Sequence, residues 1–414
     1  MRRHSILIVV CDGMADRAAR TRGFQTPLSV AKKPNMDALA ETGSIGLMHP
    51  IGPGVNPGSD VAHFALLGYN PYECYTGRGG LEAVGAGFAV NPGDVAFRCN
   101  FATVDDKMIV KDRRAGRAPE GREELAKAIN EMKMSAPNVS FEFAPTVEHR
   151  GVLILRGKSL SRRVSDTDPH IEGRAVQKAK PEDRSEESRR TADIMNEFTE
   201  KSYLVLKNHP INAKRVGMGL PPANAVLSRG AGTIPPIETL TTKYSISAAF
   251  IGVAPIVRGI CRLAGMDLID VEGATGGLDT NFVAKAKAAV RAMEKYDLVF
   301  LHIKAPDIAS HNGDFEKKVW TIEKIDAALR EALKSLDLNT HYIVLTSDHA
   351  TPVVVKDHSA DPVPIMIAGP DFDASGATSF SERTAATGNL GALLALNLVP
   401  ILMNRLGKIE KFGS

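Results

Sequence analysis

Six side chains from distant parts of this 414-residue chain are of the types that hold divalent cations: Asp12, Asp307, His311, Asp348, His349 and His358. Asp12 directly follows the apolar run 6–10, Asp307 stands a few residues beyond Leu298–Ile303, and Asp348-His349 follow the run 342–346. Asp307 and His311 are four residues apart, which puts an oxygen and an imidazole one helical turn from each other, and His358 trails His349 across a short Thr/Pro/Val loop. Carboxylates and imidazoles without thiolates suit Mn²⁺, Zn²⁺ or Co²⁺. The set is too large for one tetrahedral ion and supplies two, and two ions ~4 Å apart clamp the attacking and leaving oxygens of an in-line phosphoryl displacement.

Such a site needs a nucleophile. Asn56-Pro57-Gly58-Ser59-Asp60 is a turn that runs into the apolar stretch 61–67, so Ser59 is expected at a helix N-terminus. Backbone N–H groups there favour an anion, and a metal on the hydroxyl would lower its pKa. Taken singly, Asp12 reads as a turn residue and Ser59 as a helix cap. The joint occurrence at predicted strand ends is what singles them out. His63 would share a helix face with Ser59 and either orients the site or packs in the core, and Cys11 reads as a small buried hydrophobe. A substrate with phosphate and carboxylate also needs guanidinium partners, for which Arg117, Arg150 and Arg229, with Asp166 and His170, are candidates.

The elements that must carry these groups alternate. Apolar runs at 6–10, 245–251, Leu298–Ile303, 342–346 and 363–367 are separated by amphipathic stretches, clearest at 278–296 and 315–336, which predicts a doubly wound, mostly parallel α/β sheet. Ligands bind such sheets at the carboxyl ends of the strands, where the six side chains are expected. Between residues 83 and 244 the texture changes to alternating segments at Val95–Val104, 139–143 and 151–155, with a mixed-charge stretch at 174–190 expected to be a solvated face. This predicts a discontinuous core, 1–82 with 245–414, carrying a smaller inserted α+β domain, 83–244.

The bulk numbers fit a two-domain globular chain, with 43% apolar and 24% charged residues. With 51 basic against 48 acidic residues, nucleic acid is not expected as a partner, whereas a small anion is compatible. The four scattered cysteines form no C-x-x-C pair, pointing to a reducing cytoplasm. Met1-Arg2-Arg3 and the run 6–10 look like a signal peptide, but no small-residue cleavage site follows, so the run reads as a buried strand. No apolar run approaches the ~18–20 residues of a membrane span, so the chain is expected to be soluble; homo-oligomerisation is left open.

The stretches C-D-G-M at 11–14, N-P-G-S-D-V-A-H-F-A-L-L-G-Y-N-P at 56–71, K-A-P-D-I-A-S-H at 304–311, S-D-H-A-T-P at 347–352 and H-S-A-D-P-V-P at 358–364 resemble the alkaline phosphatase superfamily. Within it they resemble the cofactor-independent phosphoglycerate mutases of the archaeal type. The resemblance implies a phosphatase-like core, no 2,3-bisphosphoglycerate, and a phosphoserine at Ser59. It implies one metal on Asp12, Ser59, Asp348 and His349, and the other on Asp307, His311 and His358. Lys243 resembles a family lysine near the phosphate, and D-R-R-A-G-R at 112–117 a substrate-gripping segment. Rival activities within the superfamily are a phosphomonoesterase, a phosphonate hydrolase and a phosphopentomutase. The rival outside it is a metal-stabilised binding protein without turnover. A sulfatase is not expected, because Ser59 holds the nucleophile position and no C-x-P-x-R run occurs.

Overall fold

The structure, a computed structural model, describes residues 4–413; Met1-Arg2-Arg3 and Ser414 lie outside them. Contacts divide the chain into two compact units, Met1–Tyr75 with Ile237–Ser414, and Thr76–Pro236. The unit boundaries thus run several residues to the N-terminal side of the 83 and 244 expected above. The helix Arg78–Gly85 packs on strands of the second unit, which places it there.

Strands β1 (Ser5–Cys11) and β2 (Ser44–His49) precede β3 (Val95–Val104), β4 (Val110–Asp112), β5 (Val139–Pro145), β6 (Arg150–Gly157) and β7 (Ala225–Gly232). Then come β8 (Ala248–Ile251), β9 (Asp267–Leu268), β10 (Leu298–Ile303), β11 (His341–Thr346), β12 (Val363–Ala368) and β13 (Gly391–Leu394). The first unit holds an eight-stranded sheet in the order β13-β2-β12-β11-β1-β10-β8-β9. Its centre is parallel: β1 lies between β10 and β11, with Cys11 level with Ile303 and Val10 level with Thr346. Every residue of β1 and β10 is buried, so both faces are covered and the strands are almost wholly apolar, His302 of β10 being the ionisable exception. That shared register makes the chain leave all three strands at one level, where Asp12, Lys304 and Ser347 begin the loops.

One strand departs from the parallel pattern. β12 runs antiparallel to both β11 and β2. A parallel return needs a crossover of a dozen or more residues, usually a helix. The segment between β11 and β12 contains no helix and is taken up by the loop bearing Asp348, His349 and His358. The edge strand β13 and its neighbour β2 had no clear signal in the sequence.

The helix Phe315–Leu333 covers this end of the sheet and carries a buried lysine. Lys318 Nζ donates to the carbonyls of Ala15 (3.1 Å) and Thr351 (3.0 Å) and to Asp16 Oδ2 (2.9 Å). Three contacts to one ammonium compensate its burial and fasten the loops after β1 and β11 to a rigid helix. Among the described residues, no helix is long and apolar enough to cross a membrane.

The second unit is built on an antiparallel sheet, β4-β3-β6-β5, with β7 also pairing β3, on the edge opposite β6. The helices Arg122–Asn130 and Glu186–Lys207 cover it over an aromatic core of Phe97, Phe101, Phe143 and Phe198. The charged stretch 174–190 is mostly exposed, and its last residues start the long helix.

Candidate active site

Ser59 is the first residue of the helix Ser59–Leu66, with Gly58 in extended conformation as the cap. Its Oγ lies 3.0 Å from His349 Nε2. Around that nitrogen stand Asp348 Oδ2 at 3.2 Å and Asp12 Oδ1 at 3.5 Å. Both oxygens are buried and have no hydrogen-bond partner. The other oxygens of the two carboxylates are engaged, Asp348 Oδ1 by the backbone N–H groups of Gly13 and His349, and Asp12 Oδ2 by His302 and Lys304.

The histidine tautomers follow from their second nitrogens. Thr351 Oγ1 donates to Asp307 Oδ1 (2.9 Å) and therefore accepts from His349 Nδ1–H (3.0 Å), leaving a lone pair on His349 Nε2. His311 Nδ1–H donates to the Lys356 carbonyl (2.8 Å) and His358 Nδ1–H to that of Pro57 (2.9 Å). Their Nε2 atoms face Asp307 Oδ1 at 3.3 and 3.7 Å. With each ring neutral, three imidazole lone pairs face carboxylate oxygens, an arrangement that a bound cation satisfies and that a proton satisfies at His311. The ligand-capable atoms fall into overlapping groups: Asp12, Asp348 and His349; Asp307, His349 and His358; and His311, Asp357 and His358. Imidazole and carboxylate without thiol is the donor set of Mn²⁺, Zn²⁺ and Co²⁺.

His302 behaves differently. Its Nε2 meets Asp12 Oδ2 at 3.0 Å, so it donates to the carboxylate and orients it. His63 is fully buried, donates Nδ1–H to the Ser59 carbonyl (2.6 Å) and packs edge-on against the His302 ring. Burial pushes its pKa down to about 4, so the ring stays neutral. The ring is both packed in the core and bonded to the Ser59 backbone, so the geometry is compatible with both readings left open by the sequence.

Asp348 is pushed up to about 7 by burial and by the charge of Asp12. Burial also raises Asp12 and Asp307, but Lys304 and His302 hold Asp12 well below the usual carboxylate range, and His311 and Lys304 do the same for Asp307. The hydrogen bond to Asp307 holds His311 up at about 9.

Stability of the chelator-treated protein should follow these signs. The two depressed carboxylates contribute stability above the ordinary carboxylate pKa and lose it in acid. Asp348 subtracts stability as pH rises from its ordinary 3.8 towards 7, and the raised His311 contributes stability below its ordinary 6.5 that is lost as pH climbs through 9. His63 and His149, both driven down to about 4 by burial, must charge when acidified, so the protein in EDTA should melt higher at about pH 6 than at about pH 4, and Mn²⁺ should widen the gap because ligands bind deprotonated. Thermal melts at both pH values check this; a higher melting temperature at the lower pH in EDTA contradicts it.

Lys243 sits in the helix Leu240–Tyr244, where its Nζ donates to the Gly68 carbonyl (3.0 Å) and lies over the rings of Tyr69 and Tyr244. None of its contacts is to the carboxylates or imidazoles above.

In the second unit, considered by itself, the basic candidates cluster. Arg229 reaches Asp168 Oδ2 and Asn100 Oδ1, both at 3.4 Å. Asp166 accepts from the Gly230 N–H (2.8 Å) and bonds His170 Nε2 (2.8 Å). His149 is driven down to about 4 by burial and by the field of Arg150, Arg114, Arg117 and Arg229, which places these arginines together. Arg98 is lowered to about 10 by burial, with neighbouring Arg229, Arg78 and Arg150 adding to the effect. Arg113, by contrast, is spent on Asp168 in a two-point ion pair (2.9 and 2.7 Å).

Sequence reasoning missed His302, Lys304, Thr351 and Lys318 in the first unit and Arg98 in the second. Lys304 and Thr351 stand inside motifs quoted above, but nothing in their residue types reveals a role that depends on orientation.

Comparison with known proteins adds the following. Residues 40–212 match the family model described as 2,3-bisphosphoglycerate-independent phosphoglycerate mutase. The chain is 47% identical over 415 residues to 2,3-bisphosphoglycerate-independent phosphoglycerate mutase 1 of Methanocaldococcus jannaschii, covering 100% of both. It is 47% identical over 414 residues to the enzyme of that name from Pyrobaculum aerophilum, covering 99% of both. Among solved structures it is similar to the PH0037 protein from Pyrococcus horikoshii (35% identity, TM-score 0.87, 100% of both chains). It is also similar to a cofactor-independent phosphoglycerate mutase from Thermoplasma acidophilum (38%, TM-score 0.72, 98% of this chain and 100% of the other).

Proposed function

The chain belongs to the 2,3-bisphosphoglycerate-independent phosphoglycerate mutases, and from that premise we propose how its residues divide the work. It is an isomerase of glycolysis that interconverts 3-phosphoglycerate and 2-phosphoglycerate, independent of 2,3-bisphosphoglycerate and dependent on metal. Two divalent ions, from among Mn²⁺, Zn²⁺ and Co²⁺, are held on Asp12, Ser59, Asp348 and His349, and on Asp307, His311 and His358. When bound, they supply positive charge that stabilises the phosphoryl oxygens and lowers the pKa of the serine hydroxyl.

Ser59 Oγ is the nucleophile, aimed by His349 and by the backbone bond of His63. It forms a bond to phosphorus as the ester oxygen of 3-phosphoglycerate leaves, giving a phosphoserine and bound glycerate. The glycerate turns without departing, its other hydroxyl attacks the phosphoserine, and Ser59 is regenerated. Water must be kept out, because the same chemistry with water is hydrolysis. Arg117, Arg150 and Arg229, with Asp166, His170 and Lys243, are assigned to substrate binding, supported by the arginine cluster around His149. A cytoplasmic setting is supported by four free, buried cysteines.

The observation that carries the mechanism is the convergence of Asp12 Oδ1 and Asp348 Oδ2 on His349 Nε2, which itself lies 3.0 Å from Ser59 Oγ. Incubation of the purified chain with Mn²⁺ and 3-phosphoglycerate should yield 2-phosphoglycerate with no free phosphate. Net phosphate release would identify a phosphatase instead.

A further inference from the structure

Lys304 has no part in the mechanism as assigned so far. It follows β10 directly and caps the helix Ala305–His311. Its Nζ lies 2.9 Å from Asp12 Oδ2 and 2.7 Å from Asp307 Oδ2, so one ammonium spans a carboxylate from each ligand set. It uses the Oδ2 atoms, whereas the imidazole lone pairs are directed at the Oδ1 atoms of the same residues. The lysine and the ions therefore have separate oxygens, and the ammonium is no competitor for the ligand positions.

The two carboxylates are almost wholly enclosed, with 1% and 3% of their side chains exposed, whereas 27% of the Lys304 side chain is exposed. The lysine thus stands where the buried charge cluster opens outwards. Its charge completes a balance. Asp12, Asp307 and Asp348 set three negative charges against the four of two divalent ions, leaving one positive charge. A phosphomonoester at neutral pH carries close to two negative charges. Lys304 provides the second positive charge.

Resting on the two-metal reading above, we infer that Lys304 is a phosphoryl-binding residue that matches the net charge of the loaded site to a phosphomonoester dianion. Its ammonium offers three donors, and two are directed at Asp12 and Asp307, leaving one for a phosphoryl oxygen. The same charge lies beside two metal-binding carboxylates and so opposes ion binding. Removing it should weaken the anion and leave the metal as tight or tighter, a split that a spacer between two carboxylates would not produce.

The test uses Lys304→Gln, which keeps a donor and loses the charge, Lys304→Met, which loses both, and Lys304→Arg, which keeps the charge. Mn²⁺ uptake is read by electron paramagnetic resonance, and inorganic phosphate binding to the Mn²⁺-loaded protein by calorimetry. The Gln and Met variants should lose roughly tenfold or more in phosphate affinity with Mn²⁺ affinity unchanged or raised, and the Arg variant should retain most of the phosphate affinity. Unchanged phosphate affinity in the neutral variants, or a parallel fall in Mn²⁺ affinity, overturns the inference. Uptake of fewer than two Mn²⁺ by the unaltered chain overturns the two-metal reading itself.

Discussion

Ser59→Ala should lose mutase activity by about 10⁵-fold or more, the scale seen when the group forming the covalent intermediate is deleted. The fold should survive. Ser59 occupies the first position of its helix while Gly58 is the cap, so the side chain makes no capping bond that the change would remove. The backbone carbonyl that receives the His63 N–H is unchanged. Alanine is also the better helix former, so stability should shift by less than about 1 kcal/mol. The measurement is turnover of 3-phosphoglycerate beside a thermal melt and binding of the substrate. Retained binding without turnover supports the nucleophile. Residual activity above roughly 1% with a normal melt would show that another group attacks, and unimpaired biological activity would favour a binding protein over an enzyme.

Removing divalent metal should be nearly as severe. Loss of a single preorganised donor to a developing oxyanion costs about 10²–10³ in rate, so loss of two ions should cost at least about 10³. The chain treated with EDTA should fall to background and recover with Mn²⁺, Zn²⁺ or Co²⁺. Asp348→Asn gives the matching residue-level result. The amide oxygen can still accept from the Gly13 and His349 backbone N–H groups, so the loop has its anchors. The substitution removes a buried carboxylate that Asp12 already repels, so the EDTA-treated variant should melt no lower than the parent. Metal uptake and turnover should collapse together. Full activity in excess EDTA, after exhaustive dialysis, would be incompatible with the proposed site.

Why the proposed metal-binding set could be picked out along a linear sequence has a physical answer. Central parallel strands are covered on both faces, so β1, β10 and β11 are written as mostly apolar runs with charged residues soon after their ends. Asp12 and Asp348 announce themselves because nothing else ends such a strand abruptly with a carboxylate. Ser59 was visible for a similar reason, as a Pro-Gly turn must precede the helix it starts. An edge strand has one open side and fewer apolar residues, so β13 left little trace, as did its neighbour β2, and the direction of β12 depended on a connection whose path no local pattern encodes.

The order of strands, and hence which loops meet, came only from packing. So did the roles of Thr351, His302 and Lys304. A threonine selects a histidine tautomer only through a particular pair of rotamers, and a lysine bridges two carboxylates only when two strands set them one ammonium apart. The arginines make the same point in the second unit, where Arg113 and Arg229 are the same residue type but one is tied up by Asp168 in two short bonds and the other only by long ones. Residue type and spacing are properties of the chain and can be read along it. Which oxygen a donor faces depends on angles between segments hundreds of residues apart, and those exist only once the core has closed.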